Sequence, residues 1–249
     1  MNKAGEPLYS RVLSRLKTVL PENSQISSTL IVSGSDQYPI QHLVLGKGNS
    51  QRALISAGIH GDEPAGVEAL LTFLEKKFFQ KYIDDWELNI IPCINPSGYN
   101  ASTRENADKI DLNRKFRDTS PPQEVVFIKS LFKRAFDLDI ELHEDIDSPG
   151  YYLFQKEAEP ISPLGRNILN EVSKIMPINL EEEIEELPAE NGLLAHLSNP
   201  DEMEWWPMAI YAFSKGCKKV FTLETATKLP MDMRVRAHLK AIEVALDNF

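Results

Sequence analysis

An imidazole and a carboxylate stand three residues apart in His60-Gly61-Asp62-Glu63, and a second histidine, His143, follows the apolar run Leu138–Leu142. Nitrogen and oxygen donors of this kind suit zinc. Two histidines and one carboxylate also leave a fourth position open for water, as a catalytic zinc site requires. The chain has five histidines, so few other pairings compete: His42 falls inside an early strand, and His196 and His238 in polar or helical contexts. The plainer reading is that Glu63 decorates a helix N-terminus and that both histidines are satisfied structural residues. Glu224 ends another apolar run and precedes Thr225-Ala226-Thr227. A buried carboxylate there needs a partner, because an unpaired charge is costly to desolvate. It either pairs with a loop arginine or serves as general base for a water activated by the metal. Arg104 and the pair Asn113-Arg114 add cations: a guanidinium can stabilise an oxyanion, and an Asn-Arg pair can clamp a carboxylate. Taken singly, each arginine is an ordinary surface residue.

These residues need elements that deliver them to one place. The run Ala53-Leu54-Ile55-Ser56-Ala57 reads as a buried strand, and Val67, Leu70, Leu71, Leu74 and Phe78 share one face of a helix over 64–79 that Pro64 opens. His60 and Glu63 therefore sit where a strand ends and a helix begins, the edge at which α/β sheets gather ligands. Earlier strands are expected at Leu30–Val32 and Gln41–Leu45, with a turn over Gly34–Tyr38. Trp86–Cys93 reads as a strand ending in the turn signal Asn95-Pro96-Ser97-Gly98. A polar connection to Pro122 carries the arginines, and connections of that length are functional or disordered. Further elements follow: a helix over 122–136, a central strand Leu138–Leu142 delivering His143, a strand or hairpin arm Gly150–Phe154, and a helix over 163–176. A helix from Trp205 to Phe213, a strand Val220–Leu223 presenting Glu224 and a closing helix over 231–248 complete the pattern. The acidic run Glu181–Glu186 reads as a solvated loop or helix face. Alternating strands and helices imply a mostly parallel or mixed sheet covered on both faces.

Composition narrows the class. With 249 residues and 42% hydrophobic content the chain can bury a sizeable core, read as one α/β domain over residues 1–249. A net charge of −10 argues against general nucleic-acid binding. No apolar run approaches a bilayer span, and residues 1–21 lack the apolar core of a secretion signal. Leu13, Leu16 and Leu20 there suggest an amphipathic helix instead. Cys93 and Cys217 are expected to be buried free thiols. Together these features point to a soluble cytoplasmic protein with no membrane or nucleic-acid partner.

The ordered set His60-Gly61-Asp62-Glu63, Asn95-Pro96-Ser97-Gly98, Thr103-Arg104, Asp111-Leu112-Asn113-Arg114-Lys115-Phe116, His143 and Thr222-Leu223-Glu224 resembles the zinc carboxypeptidase superfamily. That group includes carboxypeptidase A-type peptidases and the aspartoacylase/succinylglutamate desuccinylase deacylases, and the resemblance runs from Ala53 to Thr227. It implies an α/β fold with a central mixed, mostly parallel sheet of about eight strands flanked by helices. It also implies one zinc per chain held by His60, Glu63 and His143, with Glu224 as general base and Arg104 as oxyanion stabiliser. Asn113 and Arg114 resemble the clamp for the substrate carboxylate.

The expected activity is hydrolysis of an amide bond next to a free carboxylate, on a peptide or an N-acyl amino acid. Carboxypeptidase A-type enzymes carry a mobile tyrosine before the general-base strand. Asn191–Glu204 contains none, which moves weight toward an N-acyl-amino-acid deacylase; Tyr151 or Tyr152 are the alternatives for reaching the pocket. Against the deacylases, the chain ends about 25 residues after Glu224, without the C-terminal β domain those enzymes usually carry. The peptidase-like branch stays ahead. A catalytically silent binding module would lack a ligand or the base, and all four are present.

Overall fold

The computed structural model describes residues 8–19, 25–195 and 200–249. Helix α1 (Leu8–Val19) buries Tyr9, Val12 and Leu16 at helical spacing. Strands β1 (Gln25–Ser33) and β2 (Asp36–Leu45) form an antiparallel pair that turns at Gly34, where φ is +63°. Strand β3 (Gln51–Ala57) leads to helix α2 (Pro64–Glu75), and β4 (Trp86–Ile91) leads to helix α3 (Pro96–Ala101). Helix α4 (Gln123–Leu131) precedes β5 (Leu138–Asp145), which is followed by β6 (Tyr152–Glu157) and helix α5 (Leu164–Val172). Three short strands come next, β7 (Glu183–Ile184), β8 (Leu187–Pro188) and β9 (Leu193–Leu194). Helix α6 (Met208–Ser214), strand β10 (Lys219–Ala226) and helix α7 (Met231–Asp247) close the chain.

Eight strands make one sheet in the order β1-β2-β4-β3-β5-β10-β6-β9. Its centre, β4-β3-β5-β10, is parallel, and β2 and β6 flank that centre antiparallel. The sheet is thus mixed and mostly parallel, as expected. Parallel strands covered on both faces read as continuous apolar runs, and every residue of β4 and all but the first of β3 are buried. One face carries Ala53, Ile55, Ala57, Leu138, Ile140, Leu142, Phe221 and Leu223, packed against α1, α2, α5 and α7. Leu54 and Val220 face the other way, into a second core under α4 and α6. Each large aliphatic side chain buried in this way contributes ~1.5–3 kcal/mol. Because side chains alternate along a strand, Asp139, Glu141 and His143 point to the second face. The C-terminal ends of β3, β5 and β10 lie side by side, and there His60, Glu63, His143 and Glu224 gather.

Several elements differ in extent from the sequence pattern. Helix α2 stops at Glu75 because Lys77 adopts a left-handed φ of 57°, and a separate 3-10 turn over Phe78–Lys81 follows. Helix α4 ends at Leu131, yet Phe132 and Phe136 are still buried beyond it. The acidic run is not a plain loop: β7 and β8 pair as a hairpin, and Ile184 packs with Tyr152 and Leu194. Leu20 and His196 lie outside the described residues. Cys93 and Cys217 are buried and unbonded. Among the described residues, no helix is long and apolar enough to cross a membrane.

Candidate metal centre

The first turn of the site is stitched in place by backbone. After β3 the chain turns at Gly58, with φ +63°, and the Ala57 and Gly58 carbonyls accept the N–H groups of Ile94 (3.0 Å) and Asn95 (2.8 Å). Asn95 caps α3 by accepting from Gly98 N at 2.9 Å, and its Nδ2 donates to the carbonyls of Ile59 and Arg104, both at 3.3 Å. The two motifs touch directly. A Cβ on Gly61 would lie 2.0 Å from the Gly98 carbonyl carbon and 2.2 Å from Tyr99 N, so only glycine fits.

Glu63 occupies the N-cap position of α2 but makes no capping hydrogen bond. Its carboxylate turns to the histidines instead: Oε1 lies 2.6 Å from His60 Nδ1 and Oε2 lies 2.9 Å from His143 Nδ1. The three side chains are buried, and they offer donor atoms that all lie within 4.8 Å of one another. Burial penalises the Glu63 carboxylate, but the two imidazoles outweigh that cost and hold its pKa at about 2. Burial likewise opposes charge on His60 and His143, and it is overcome by Glu63, with Asp111 helping at His60 and Glu141 at His143. Both imidazoles are raised as a result. An arrangement in which two imidazole nitrogens converge on one carboxylate fits a divalent cation, which supplies the positive charge and leaves the rings neutral. The second ring nitrogens fit as well. His60 Nε2 is buried without a hydrogen bond, 3.3 Å from Asp111 Oδ1, and His143 Nε2 lies 3.8 Å from Glu141 Oε2. Carboxylates behind ligating imidazoles orient the rings and raise their basicity.

Glu224 stands on β10 with His143 of β5 and Tyr152 of β6 as its strand partners. Burial raises its pKa to about 8; His143 pulls it down and Glu63 pushes it up. Among the described residues no ion pair ties it to a loop arginine. Arg104 and Arg114 both go to Asp111 Oδ2, at 3.0 and 3.3 Å. Arg104 Nη1 also reaches to 3.3 Å of His60 Nδ1 and 3.7 Å of Glu63 Oε1. The Arg114 guanidinium lies over the Trp205 ring at 5.0 Å. Asn113 Oδ1 accepts from Met208 N at 2.9 Å, which leaves its amide N–H groups for a ligand.

All seven residues singled out from the sequence line one cavity of about 710 Å³. The structure adds one role that sequence reasoning passed over. Asp111 joins His60 to both arginines; burial opposes its charge, but His60 and Arg104 depress its pKa far below the usual carboxylate range. Its position in Asp111-Leu112-Asn113-Arg114 was the available signal. Tyr152, one of the two tyrosines considered from the sequence, and Glu185 of the acidic run also line the cavity, with Phe154, Leu187, Trp205 and Ile210 as apolar walls. Tyr152 donates to Asp145 Oδ2 at 3.0 Å. Tyr151 packs instead in the core on the opposite face.

The comparisons with known proteins agree with this architecture. A candidate metallopeptidase from Shewanella amazonensis superposes with a TM-score of 0.78 at 19% identity, covering 96% of this chain and 91% of that one. A metallo-carboxypeptidase from Pseudomonas aeruginosa, solved with (2-guanidinoethylmercapto)succinic acid, gives a TM-score of 0.69 at 17% identity over 96% and 67% of the two chains. Carboxypeptidase SOL1 of Arabidopsis thaliana is 37% identical over 68 residues, which are 24% of this chain and 14% of that protein. The fold is that of these metallopeptidase and metallo-carboxypeptidase structures. Within that fold, residues 49–163 match the succinylglutamate desuccinylase/aspartoacylase catalytic domain. The matched stretch holds His60, Glu63, Arg104, Asn113, Arg114 and His143, and Glu224 lies beyond it.

Proposed function

We propose that the chain is a zinc-dependent hydrolase of carboxypeptidase type, cleaving an amide bond next to a free carboxylate. The observation that carries this reading is the convergence of His60 and His143 on Glu63 inside a cavity that also holds Glu224 and two arginines. His60, Glu63 and His143 would hold one zinc ion, which supplies a Lewis acid and lowers the pKa of water to ~7. Glu224, which lines the same cavity beside His143, takes the proton of the attacking water and passes it to the leaving amine. Arg104 faces the developing oxyanion. Arg114, steadied by Trp205 and Asp111, and the free amide N–H groups of Asn113 hold the carboxylate of the substrate. The succinic acid compound bound by the Pseudomonas aeruginosa neighbour agrees with a carboxylate-bearing ligand. Two free buried thiols fit a cytoplasmic setting.

A second reading, an N-acyl-amino-acid deacylase, is favoured by the match over residues 49–163. Both readings use the same machinery and differ in the pocket, which takes a peptide on the carbonyl side of the amide in the first and a small acyl group in the second. Metal analysis paired with turnover of C-terminally free dipeptides and of N-acyl amino acids separates them. Stoichiometric zinc with dipeptide turnover supports the first reading, and turnover of acylated amino acids alone replaces it with the second. His143→Ala should lose the metal at equal folding; full zinc and full activity in that variant would remove the ligand assignment.

A further inference from the structure

Glu144 follows His143 on β5 and, by strand alternation, points to the opposite face of the sheet. Its side chain has no exposed surface. Oε1 accepts the N–H of Ala65 at 2.6 Å, in the first turn of α2 and two residues beyond Glu63. Oε2 accepts from Arg234 Nη1 of α7 and lies 3.5 Å from the Thr225 hydroxyl, the residue after Glu224 on β10. Arg234 is held in turn by Nε donating to the Leu229 carbonyl at 2.9 Å. One carboxylate thus ties together the backbone beside Glu63, His143 and Glu224.

The need for such a tie is visible at α2. The first N–H groups of a helix lack intrahelical partners, and Glu63, at the N-cap position, spends its carboxylate on the imidazoles. Glu144 supplies a cap from the neighbouring strand. A carboxylate at that depth needs a counter-charge, which Arg234 provides. We propose that the Glu144–Arg234 pair is a positioning device for the metal centre: it locks α2, β5 and β10 together so that the donor atoms converge. The inference rests on the metal-binding reading above.

Cobalt(II) affinity, measured by competition with a chromophoric chelator, tests it together with the visible spectrum of the cobalt form and the melting temperature of the metal-free protein. The variants are Glu144→Ala, Glu144→Gln, Arg234→Met and a remote control, Glu87→Gln. Glu87 forms a comparably buried ion pair with Arg52 at 2.7 Å, near the opposite ends of β3 and β4. Glu144→Ala is expected to bind cobalt ~10–100-fold more weakly, the usual cost of removing a partner behind the ligands, with a changed spectrum. Arg234→Met should weaken binding in the same direction, and Glu144→Gln, which can still accept from Ala65, should recover part of the affinity. Glu87→Gln should lower the melting temperature and leave cobalt affinity unchanged. Wild-type affinity in folded Glu144→Ala and Arg234→Met would overturn the proposal, as would an equal loss in Glu87→Gln. If Glu144→Ala does not fold, Arg234→Met decides, because it keeps the bond to Ala65. Failure of the metal reading itself shows separately, as a wild type that binds no cobalt or a His143→Ala variant that binds it normally.

Discussion

Replacing Asp111 by Asn separates two roles that one carboxylate holds together. Asp111 lies 3.3 Å from His60 Nε2 and takes Arg104 and Arg114 at 3.0 and 3.3 Å. It also accepts the N–H of Asn113 at 3.0 Å, a bond an Asn side chain can keep. The arginines are 47% and 55% exposed along their side chains, so each pair is worth only ~0.2–1 kcal/mol. Loosening them should raise KM for carboxylate substrates by ~2–5-fold. The His60 side of the cluster is buried, and loss of a carboxylate behind a ligating imidazole costs ~10–100-fold in metal affinity, or ~1.4–2.7 kcal/mol. Metal retention therefore dominates. In chelator competition Asp111→Asn should release zinc ~10–100-fold more readily, while at saturating zinc its kinetics shift mainly in KM. A variant that holds zinc as tightly as the wild type but binds substrate 100-fold more weakly would refute this ordering and place Asp111 with the arginines alone.

Four further outcomes are expected. Glu224→Gln should bind metal normally and lose ~10²–10⁴-fold in kcat; near-wild-type turnover would leave Glu224 without a role as base. Arg114→Ala should raise KM for substrates with a free α-carboxylate and spare amidated ones, so equal losses on both would remove Arg114 from the clamp. Glu185 lines the cavity from the β7–β8 hairpin, and substrates with a cationic group should be favoured over acidic ones. That preference should shrink above ~0.15 M salt, where exposed charges are screened over about 8 Å, and in Glu185→Gln; a ratio of kcat/KM indifferent to both would make Glu185 plain surface charge. Finally, burial opposes charge on Glu87, yet Arg52 and the N–H of Gly48 depress its pKa below the ordinary carboxylate value. Its contribution is present above that value and lost as pH falls through the depressed one, so Glu87→Gln should flatten the acid side of the stability profile. Melting curves taken across acidic pH check this, and an unchanged acid slope would contradict it.

The parts of the molecule that were legible are those in which local pattern and burial coincide. Strands β3, β5 and β10 are short apolar runs because both their faces are covered, and the residues ending them fall at one edge by topology. Helix extents were less legible: nothing in the Lys76-Lys77-Phe78 sequence announces that Lys77 takes a left-handed φ. Strand β1 carries Ser27, Ser28 and Thr29 in its exposed first half, so its pairing with β2 leaves no alternation to read. Glu144 escaped because its partners are distant in sequence, and Asp111 because His60, the partner that ties it to the buried cluster, comes from another segment. Glu144 looks like one more charge after His143 until Ala65, 79 positions away, is found donating to it. Tyr151 and Tyr152 are adjacent in sequence, and strand direction alone decides which of them meets the cavity.

The contact between Gly61 and Gly98 has a bearing on how such a site can diverge. The turn that bears His60 and Glu63 and the helix that begins the arginine segment meet peptide plane against peptide plane, with no room for even a methyl group between them. The spacing on that side of the cleft is therefore not adjustable by side-chain substitution. Another part of the lining is built differently: Ile146, Tyr152, Phe154, Glu185 and Leu187 border the space, from a strand, a connection and a short hairpin. New specificities in this scaffold, whether arising naturally or in a randomised library, should accumulate at those positions, and libraries that include residues 61 or 98 should return chiefly glycine there.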